Sequence, residues 1–72
     1  MIAIVLNGQP KEIAEGESIM DLVDSLNLPA ERLAVEHNLK IIKRAHWNSQ
    51  ALEDGDKVEI VQFVGGGSAG NC

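Results

Sequence analysis

The sequence predicts an α+β fold in which one helix covers one face of a mixed β-sheet. The two most apolar strand candidates, residues 2–6 and 57–63, lie near opposite ends of the 72-residue chain. Strands this apolar suit the centre of a sheet, where we expect them to be parallel neighbours. Between them, only residues 18–26 have the apolar periodicity of a helix.

The first strand and its hairpin are predicted from the opening residues. Residues 2–6 are a continuous apolar run, which is typical of a strand buried on both faces. Asn7-Gly8 is a strong hairpin signal because both residue types tolerate positive φ angles. Residues 10–14 are therefore expected to form the second strand.

A capping box predicts where the helix begins. The Ser18 hydroxyl can accept a hydrogen bond from the first turn, and Asp21 stands three residues later. Asn27 and Pro29 are suited to ending the helix. Four side chains share its apolar face: Ile19, Leu22, Val23 and Leu26.

The second half of the chain predicts three more strands, at residues 33–36, 41–42 and 57–63. A turn at 37–40 separates the first two, and an irregular segment with a turn cluster at 53–56 precedes the last. The order strand, strand, helix, strand, strand, strand is the β-grasp arrangement of ubiquitin-like proteins. We expect this domain to comprise residues 1–64.

The last strand allows two interpretations. Val58 and Ile60 alternate with the charged Lys57 and Glu59, but the alternation fails beyond them because Val61 and Phe63 are also apolar. One interpretation is a central strand buried on both sides. The other is an exposed apolar patch that docks on a partner.

Composition excludes several classes of protein. The net charge of -5 argues against nucleic-acid binding, which requires a basic surface. A single cysteine, Cys72, forms no internal disulfide and fits a reducing compartment. No window is apolar enough to span a membrane, and no secretory signal is recognisable, so we expect a cytoplasmic protein.

The side chains give little support for catalysis. His37 and His46 lack cysteine partners and metal-ligand spacing, so no metal site is predicted. No phosphate-binding loop is present, because the glycine cluster lies after the last strand with no helix or lysine behind it. We therefore expect no catalytic residue, no bound cofactor and no enzymatic activity of the chain itself.

The last eight residues differ from the rest. Residues 65–72 contain four of the seven glycines, and little in this segment could bury apolar surface to offset the entropy of ordering it. We predict a flexible tail. A peptide of glycines can enter a narrow channel and present its backbone to a partner's active site, but the same composition also makes simple linkers.

Several motifs together resemble the ThiS family, the sulfur carriers of bacterial thiamin biosynthesis. The resemblance covers residues 1–67. The segments that carry it are Leu6-Asn7-Gly8, Ile19-Met20-Asp21-Leu22-Val23, Leu33-Ala34-Val35-Glu36, Arg44-Ala45-His46-Trp47, Leu52-Glu53-Asp54-Gly55-Asp56-Lys57-Val58-Glu59-Ile60-Val61 and Val64-Gly65-Gly66-Gly67.

The resemblance implies a mechanism in which partners supply the catalysis. A ThiF-like adenylating enzyme would use ATP to activate the carboxylate of Gly67. A cysteine desulfurase or another sulfur donor would then replace AMP and leave a thiocarboxylate for a ThiG-like thiazole synthase. Val64, Gly65 and Gly66 would thread into the partner's active site. From the apolar end of the last strand, we predict that Val61, Phe63 and nearby acidic residues contact the partner.

The sequence departs from the family pattern in three places. Asn38-Leu39 occupies a turn that is often Asn-Gly, so we expect a less tight turn, and Lys43 stands where proline is common. Residues 68–72 follow the diglycine, and an amide-bonded Gly67 has no free carboxylate. Either a metalloprotease removes this extension, or it is a remnant of cloning, or this copy is inactive.

Other functions are compatible with the same fold. A MoaD-like small subunit of molybdopterin synthase also ends in diglycine. A ThiS-like carrier can serve another sulfur pathway, such as cysteine, methionine or secondary-metabolite synthesis. A ubiquitin-like modifier and a plain protein-interaction module are further alternatives.

Overall fold

The computed structural model describes residues 1–63, which form a five-stranded sheet, one α-helix and two short 3₁₀ helices. The strands are β1 (Ile2–Leu6), β2 (Gln9–Ile13), β3 (Leu33–His37), β4 (Lys40–Ile42) and β5 (Lys57–Gln62). The α-helix is α1 (Ile19–Ser25), and the 3₁₀ helices span Ala30–Arg32 and Arg44–His46.

The sheet confirms the predicted β-grasp topology. Its strand order is β2-β1-β5-β3-β4, with β5 at the centre. β1 and β5 are parallel, with Val5 opposite Lys57 and Leu6 opposite Val58, whereas all other neighbouring strands are antiparallel. The prediction that the first and last strands are parallel neighbours is therefore confirmed.

Helix α1 begins at the predicted capping box. The Asp21 amide donates to the Ser18 hydroxyl at 3.1 Å, and the Ser18 amide donates to the Asp21 carboxylate at 3.0 Å. These two bonds satisfy N–H groups that have no partner within the helix. The helix ends at Ser25, and Asn27 beyond it adopts a φ of 56°.

The hydrophobic core lies between α1 and one face of the sheet. Helix α1 contributes Ile19, Leu22 and Val23, each with no exposed surface. Trp47 closes the core beside β4, and its indole N–H donates to the Ile42 carbonyl at 2.8 Å, so its polar atom is satisfied. The other buried apolar residues are Ile4, Ile13, Leu33, Val35, Leu52 and Val58.

The expectation that β1 is buried on both faces is wrong. Ile4 is the one fully buried residue of β1, while Ala3 is exposed and Val5 is half-buried. The reason is that α1 covers one face of the sheet, so alternate side chains of β1 point to the uncovered side. We call that uncovered side the outer face.

The β3–β4 turn is tighter than its sequence predicted. His37 pairs directly with Lys40, so the turn contains two residues, Asn38 and Leu39, with φ angles of 52° and 72°. Positive φ at both positions is the geometry of a tight hairpin turn. Leu39 therefore carries a Cβ in the left-handed region, where it crowds the following carbonyl oxygen.

We expect Leu39→Gly to stabilise the protein by about 0.5–1 kcal/mol, because glycine removes the left-handed strain but loses more entropy on folding. Urea unfolding would measure the gain. Leu39→Ala is the matched control, since it shortens the side chain but keeps Cβ. An equal gain from both variants would show that backbone strain is not the cause.

A polar network fixes the start of β5. The imidazole Nε2 of His37 lies 2.7 Å from an Asp56 carboxylate oxygen, and each of these two side chains is 14% exposed. The Asn38 side chain donates to Asp56 at 3.2 Å and accepts from the Lys57 amide at 2.9 Å. The Asp56 carboxylate also accepts from the Glu53 amide at 2.9 Å. The network therefore joins the β3–β4 turn to the loop before β5.

The pKa of Asp56 reflects this network. Partial burial raises the pKa of Asp56, but hydrogen bonds from His37, Glu53 and Asn38, together with the charge of His37, lower it. The result is a pKa below the ordinary value of 3.8. Ionised Asp56 consequently stabilises the folded state at any pH above that value.

We expect Asp56→Asn to be less stable than the wild type at pH 7, with a difference that shrinks as the pH falls below 3.8. The sign follows because the pKa of Asp56 is lower in the folded state than in the unfolded state. The stabilisation is therefore present above the unfolded-state pKa and is lost as the pH falls through the folded-state pKa. Urea unfolding at several pH values would measure it. Asp24→Asn, on the exposed side of α1, is the control. A pH-independent difference for Asp56→Asn would contradict the prediction.

Candidate functional site

The end of β5 presents apolar side chains on the outer face. Val58 is fully buried and Ile60 packs against the core, whereas Val61 is 56% exposed and Phe63 is 60% exposed. The interpretation of β5 as a strand buried on both sides is therefore wrong, although β5 is central. The exposed apolar patch that the sequence allowed is present, because nothing in residues 1–63 covers the outer face here.

Strand pairing enlarges this patch. Val61 lies opposite Ala34 of β3, which is half-buried, and Phe63 continues the ladder by donating its N–H to the Arg32 carbonyl at 2.8 Å. We call Ala34, Val61 and Phe63 the β5 patch. Two positions along the ladder, on the same face, Glu59 lies directly opposite Glu36. Two like charges in this position repel each other, so a cation from a partner would be favoured beside the patch.

Asn7 holds the other edge of β5, a role that sequence reasoning did not find. Its backbone N–H donates to the Val58 carbonyl at 2.9 Å. Its side-chain oxygen accepts from the Ile60 N–H at 2.8 Å, and its side-chain nitrogen lies 3.4 Å from the Ile60 carbonyl. The side-chain amide thus takes the place of a peptide group after β1 has ended. The Asn-Gly pair signalled the turn, but no local pattern signals a contact 53 residues away.

The predicted threading and activation residues follow this patch in sequence. Val64, Gly65, Gly66 and Gly67 lie outside the described residues, as do the extension at 68–72 and the boundary between residues 64 and 65. The described chain ends at Phe63, one residue before the segment expected to enter a partner. The β5 patch is therefore adjacent in sequence to the predicted reactive end.

The two histidines lie in different environments. His37 is held by Asp56, and His46 is exposed at the end of the second 3₁₀ helix. Within residues 1–63, no three His, Cys, Asp or Glu side chains come together in a way that could hold a metal ion.

The same part of the chain contains no helix long and apolar enough to cross a membrane.

Comparisons with known proteins relate this geometry to a family. The model of the ThiS family matches residues 4–67. The crystal structure of the thiamine biosynthesis protein ThiS from Geobacter metallireducens superposes with a TM-score of 0.79 at 32% sequence identity, over 92% of this chain and 100% of that one. The sulfur carrier protein ThiS of Bacillus subtilis is 42% identical over 50 residues, which are 69% of this chain and 76% of the relative.

A longer relative also contains a region like this chain. A thiazole synthase from Paramagnetospirillum magneticum is 37% identical over 65 residues, which are 90% of this chain and 20% of that protein. The chain therefore spans about a fifth of the length of the thiazole synthase relatives that it matches.

The family match begins within β1, includes α1 and β5, and ends at Gly67. The mixed sheet with one helix agrees with the ThiS structure, so the predicted fold and the predicted resemblance are both confirmed. The chain belongs to the ThiS family.

Proposed function

We propose that the chain is a sulfur carrier whose Gly67 carboxyl is adenylated and then converted to a thiocarboxylate. The observation that carries the proposal is that the family match ends at residue 67, the last glycine of the Gly65-Gly66-Gly67 run. The Bacillus subtilis relative is named a sulfur carrier protein, and the Geobacter metallireducens structure is named a thiamine biosynthesis protein. Residues 68–72 must be removed first, because an amide-bonded Gly67 has no carboxylate to activate.

The chemistry explains why a carrier of this kind needs a separate activating enzyme. A carboxylate is a poor electrophile, because its negative charge repels nucleophiles. A ThiF-like enzyme would transfer AMP from ATP to the Gly67 carboxylate and release pyrophosphate, which gives a mixed anhydride with a good leaving group. A persulfide sulfur from a cysteine desulfurase or similar donor would then displace AMP. A thiol reductant would then attack the donor sulfur of this acyl disulfide, which releases the thiocarboxylate and leaves a disulfide between the donor and the thiol.

A thiazole synthase is the proposed acceptor of the sulfur. The Paramagnetospirillum magneticum thiazole synthase includes a region that resembles nearly all of this chain. A carrier domain within a thiazole synthase supports a working relationship between the two activities. We therefore propose a ThiG-like thiazole synthase as the downstream partner.

The intact mass of the protein isolated from its native cell tests this function. We expect a chain that ends at Gly67 and has one carboxyl oxygen replaced by sulfur. Incubation of the full-length protein with a cell extract, ATP and cysteine should produce the same species. A mass that ends at Cys72 and stays unaltered in that extract would overturn the proposal and favour an interaction module.

The β5 patch is the proposed docking surface for the adenylating enzyme. Val61 and Phe63 expose more than half of their surface and directly precede the segment that would enter the enzyme. Large exposed apolar side chains at such a position are typical of binding sites, and aromatic residues often dominate binding energy. The neighbouring Glu36 and Glu59 would favour a cationic side chain on the partner.

We expect Phe63→Ser to weaken binding to the adenylating enzyme by about tenfold or more, because it removes the largest apolar side chain of the patch. Isothermal titration calorimetry would measure the affinity, and circular dichroism would check the fold. Ala14→Ser is the control, since it introduces a serine at an exposed position beyond β2, at the end of the sheet away from Phe63. Wild-type affinity of a folded Phe63→Ser variant would show that the β5 patch is not the docking surface.

A further inference from the structure

The edge of the sheet at β4 has an unusual surface for an acidic protein. β4 is the last strand of the sheet, so one of its sides pairs with β3 and the other is open. We call the segment from Leu39 to Arg44 the β4 edge. It lies away from the β5 patch, because the end of β3 that leads into β4 is opposite the end that pairs with Gln62.

The register of β4 leaves backbone groups available on the open side. In a two-residue hairpin the closing pair, here His37 and Lys40, exchanges both backbone hydrogen bonds. Because the direction of the backbone groups alternates along a strand, the N–H and C=O of Ile42 also point toward β3. The N–H and C=O of Ile41 point away from the sheet, in the direction from which another strand could pair.

The side chains of the β4 edge are both apolar and basic. Leu39 is 88% exposed and Ile41 is 73% exposed, so with Met1 at 80% they are the three most exposed large hydrophobic residues of residues 1–63. Three of the chain's six Lys and Arg residues lie in the same segment, although the chain carries a net charge of -5. Within the described part of the chain, none of these three has a carboxylate within 4.0 Å, since the one ion pair joins His37 to Asp56. They are Lys40, Lys43 and Arg44.

The need to protect an edge strand from aggregation does not explain the side chains of the β4 edge. Lysines on an edge do discourage aggregation, and the opposite edge of the sheet, β2, has Pro10 and charged residues for this purpose. Protection predicts polar side chains along the whole edge, whereas the β4 edge exposes Leu39 and Ile41. Leu39 also occupies a left-handed conformation that glycine would adopt without strain. An apolar side chain kept at a strained, exposed position points to a contact with another molecule.

We propose that the β4 edge binds an extended acidic segment of a partner protein, which adds to the sheet as a sixth strand beside β4. The backbone of that segment pairs with Ile41. Its apolar side chains contact Leu39 and Ile41, and its carboxylates meet Lys40, Lys43 and Arg44. Strand addition of this kind takes affinity from main-chain hydrogen bonds and specificity from the flanking side chains.

A hollow beside the strand fits the same occupant. It is lined by Ile41, Ile42, Lys43, His46, Ser49 and Gln50. An apolar side chain of the added strand can lie against the Ile41 side chain, and a carboxylate can lie against Lys43. The lining of this hollow includes no residue of the β5 patch.

The probe for the test is a short synthetic peptide that alternates glutamate and valine, titrated into the isotope-labelled protein and followed by NMR. We expect the largest amide shifts at residues 39–44 and slower hydrogen exchange at the Ile41 amide. A peptide that alternates lysine and valine is the control and should not bind. Equal binding of both peptides, or shifts confined to Val61 and Phe63, would overturn the proposal.

Charge reversal tests the basic side chains. The double variant Lys40→Glu/Lys43→Glu should bind the acidic peptide about tenfold more weakly, since two attractive charge pairs become repulsive. Lys43→Glu alone should also weaken binding, and Lys11→Glu, the same single reversal on the β2 edge, is its matched control and should bind as the wild type does. Unchanged affinity of a folded double variant would contradict the proposal.

Sedimentation of the wild-type protein should show a monomer. A dimer that is lost on Ile41→Glu would overturn the proposal and identify a second copy of the chain as the occupant.

Discussion

The position of α1 is the constraint on which the rest of the structure depends. It is the sole α-helix of residues 1–63 and has seven residues, so it covers one face of the sheet and leaves the outer face open. Its three fully buried side chains meet the inward side chains of β1, β3 and β5 and form the core with them. The outward side chains of the same strands have no internal partner, and the β5 patch is made of such side chains.

Side chains reinforce the central strand on the side where its pairing is short. β1 and β5 share two paired positions, and Asn7 extends that edge with its amide. Before β5, Asp54 accepts from the Ala3 amide at 2.9 Å, while the Gly55 amide donates to the Ala3 carbonyl at 2.8 Å. Asp56 and its network join the same loop to the β3–β4 turn. These hydrogen bonds therefore fix the position of β5 relative to β1, although the two strands share only two paired positions.

Sequence reasoning found what local patterns encode. The capping box at Ser18 and the apolar face of α1 follow from nearby residue types, and both are present. The parallel pairing of β1 with β5 was predicted from the apolar character of two distant segments, and it is present as well. The contacts that were missed join distant positions: Asn7 with Ile60, and His37 with Asp56. The tight turn at Leu39 was wrongly predicted because strand pairing imposes a backbone that leucine alone disfavours.

The candidate site also has features that the local sequence predicts and features that it does not. Exposure at Val61 and Phe63 could be proposed from broken alternation, but only the three-dimensional arrangement decides between burial and exposure, because a central strand usually lacks a free face. The role of Gly67 rests on sequence similarity and chemistry, since it lies beyond the described residues.

The pairing of β5 also determines how the domain bears a mechanical load. When a partner draws on the carboxyl end of β5, the pull runs along the strand and nearly perpendicular to its hydrogen bonds with β1 and β3. Bonds loaded in shear share the force and must break together, whereas bonds at a peeling edge break one after another. The bonds of Asn7 to Ile60 and of Arg32 to Phe63 lie closest to the point of traction. The pairing of β5 on both sides is therefore the arrangement that best resists a pull along the axis of the strand.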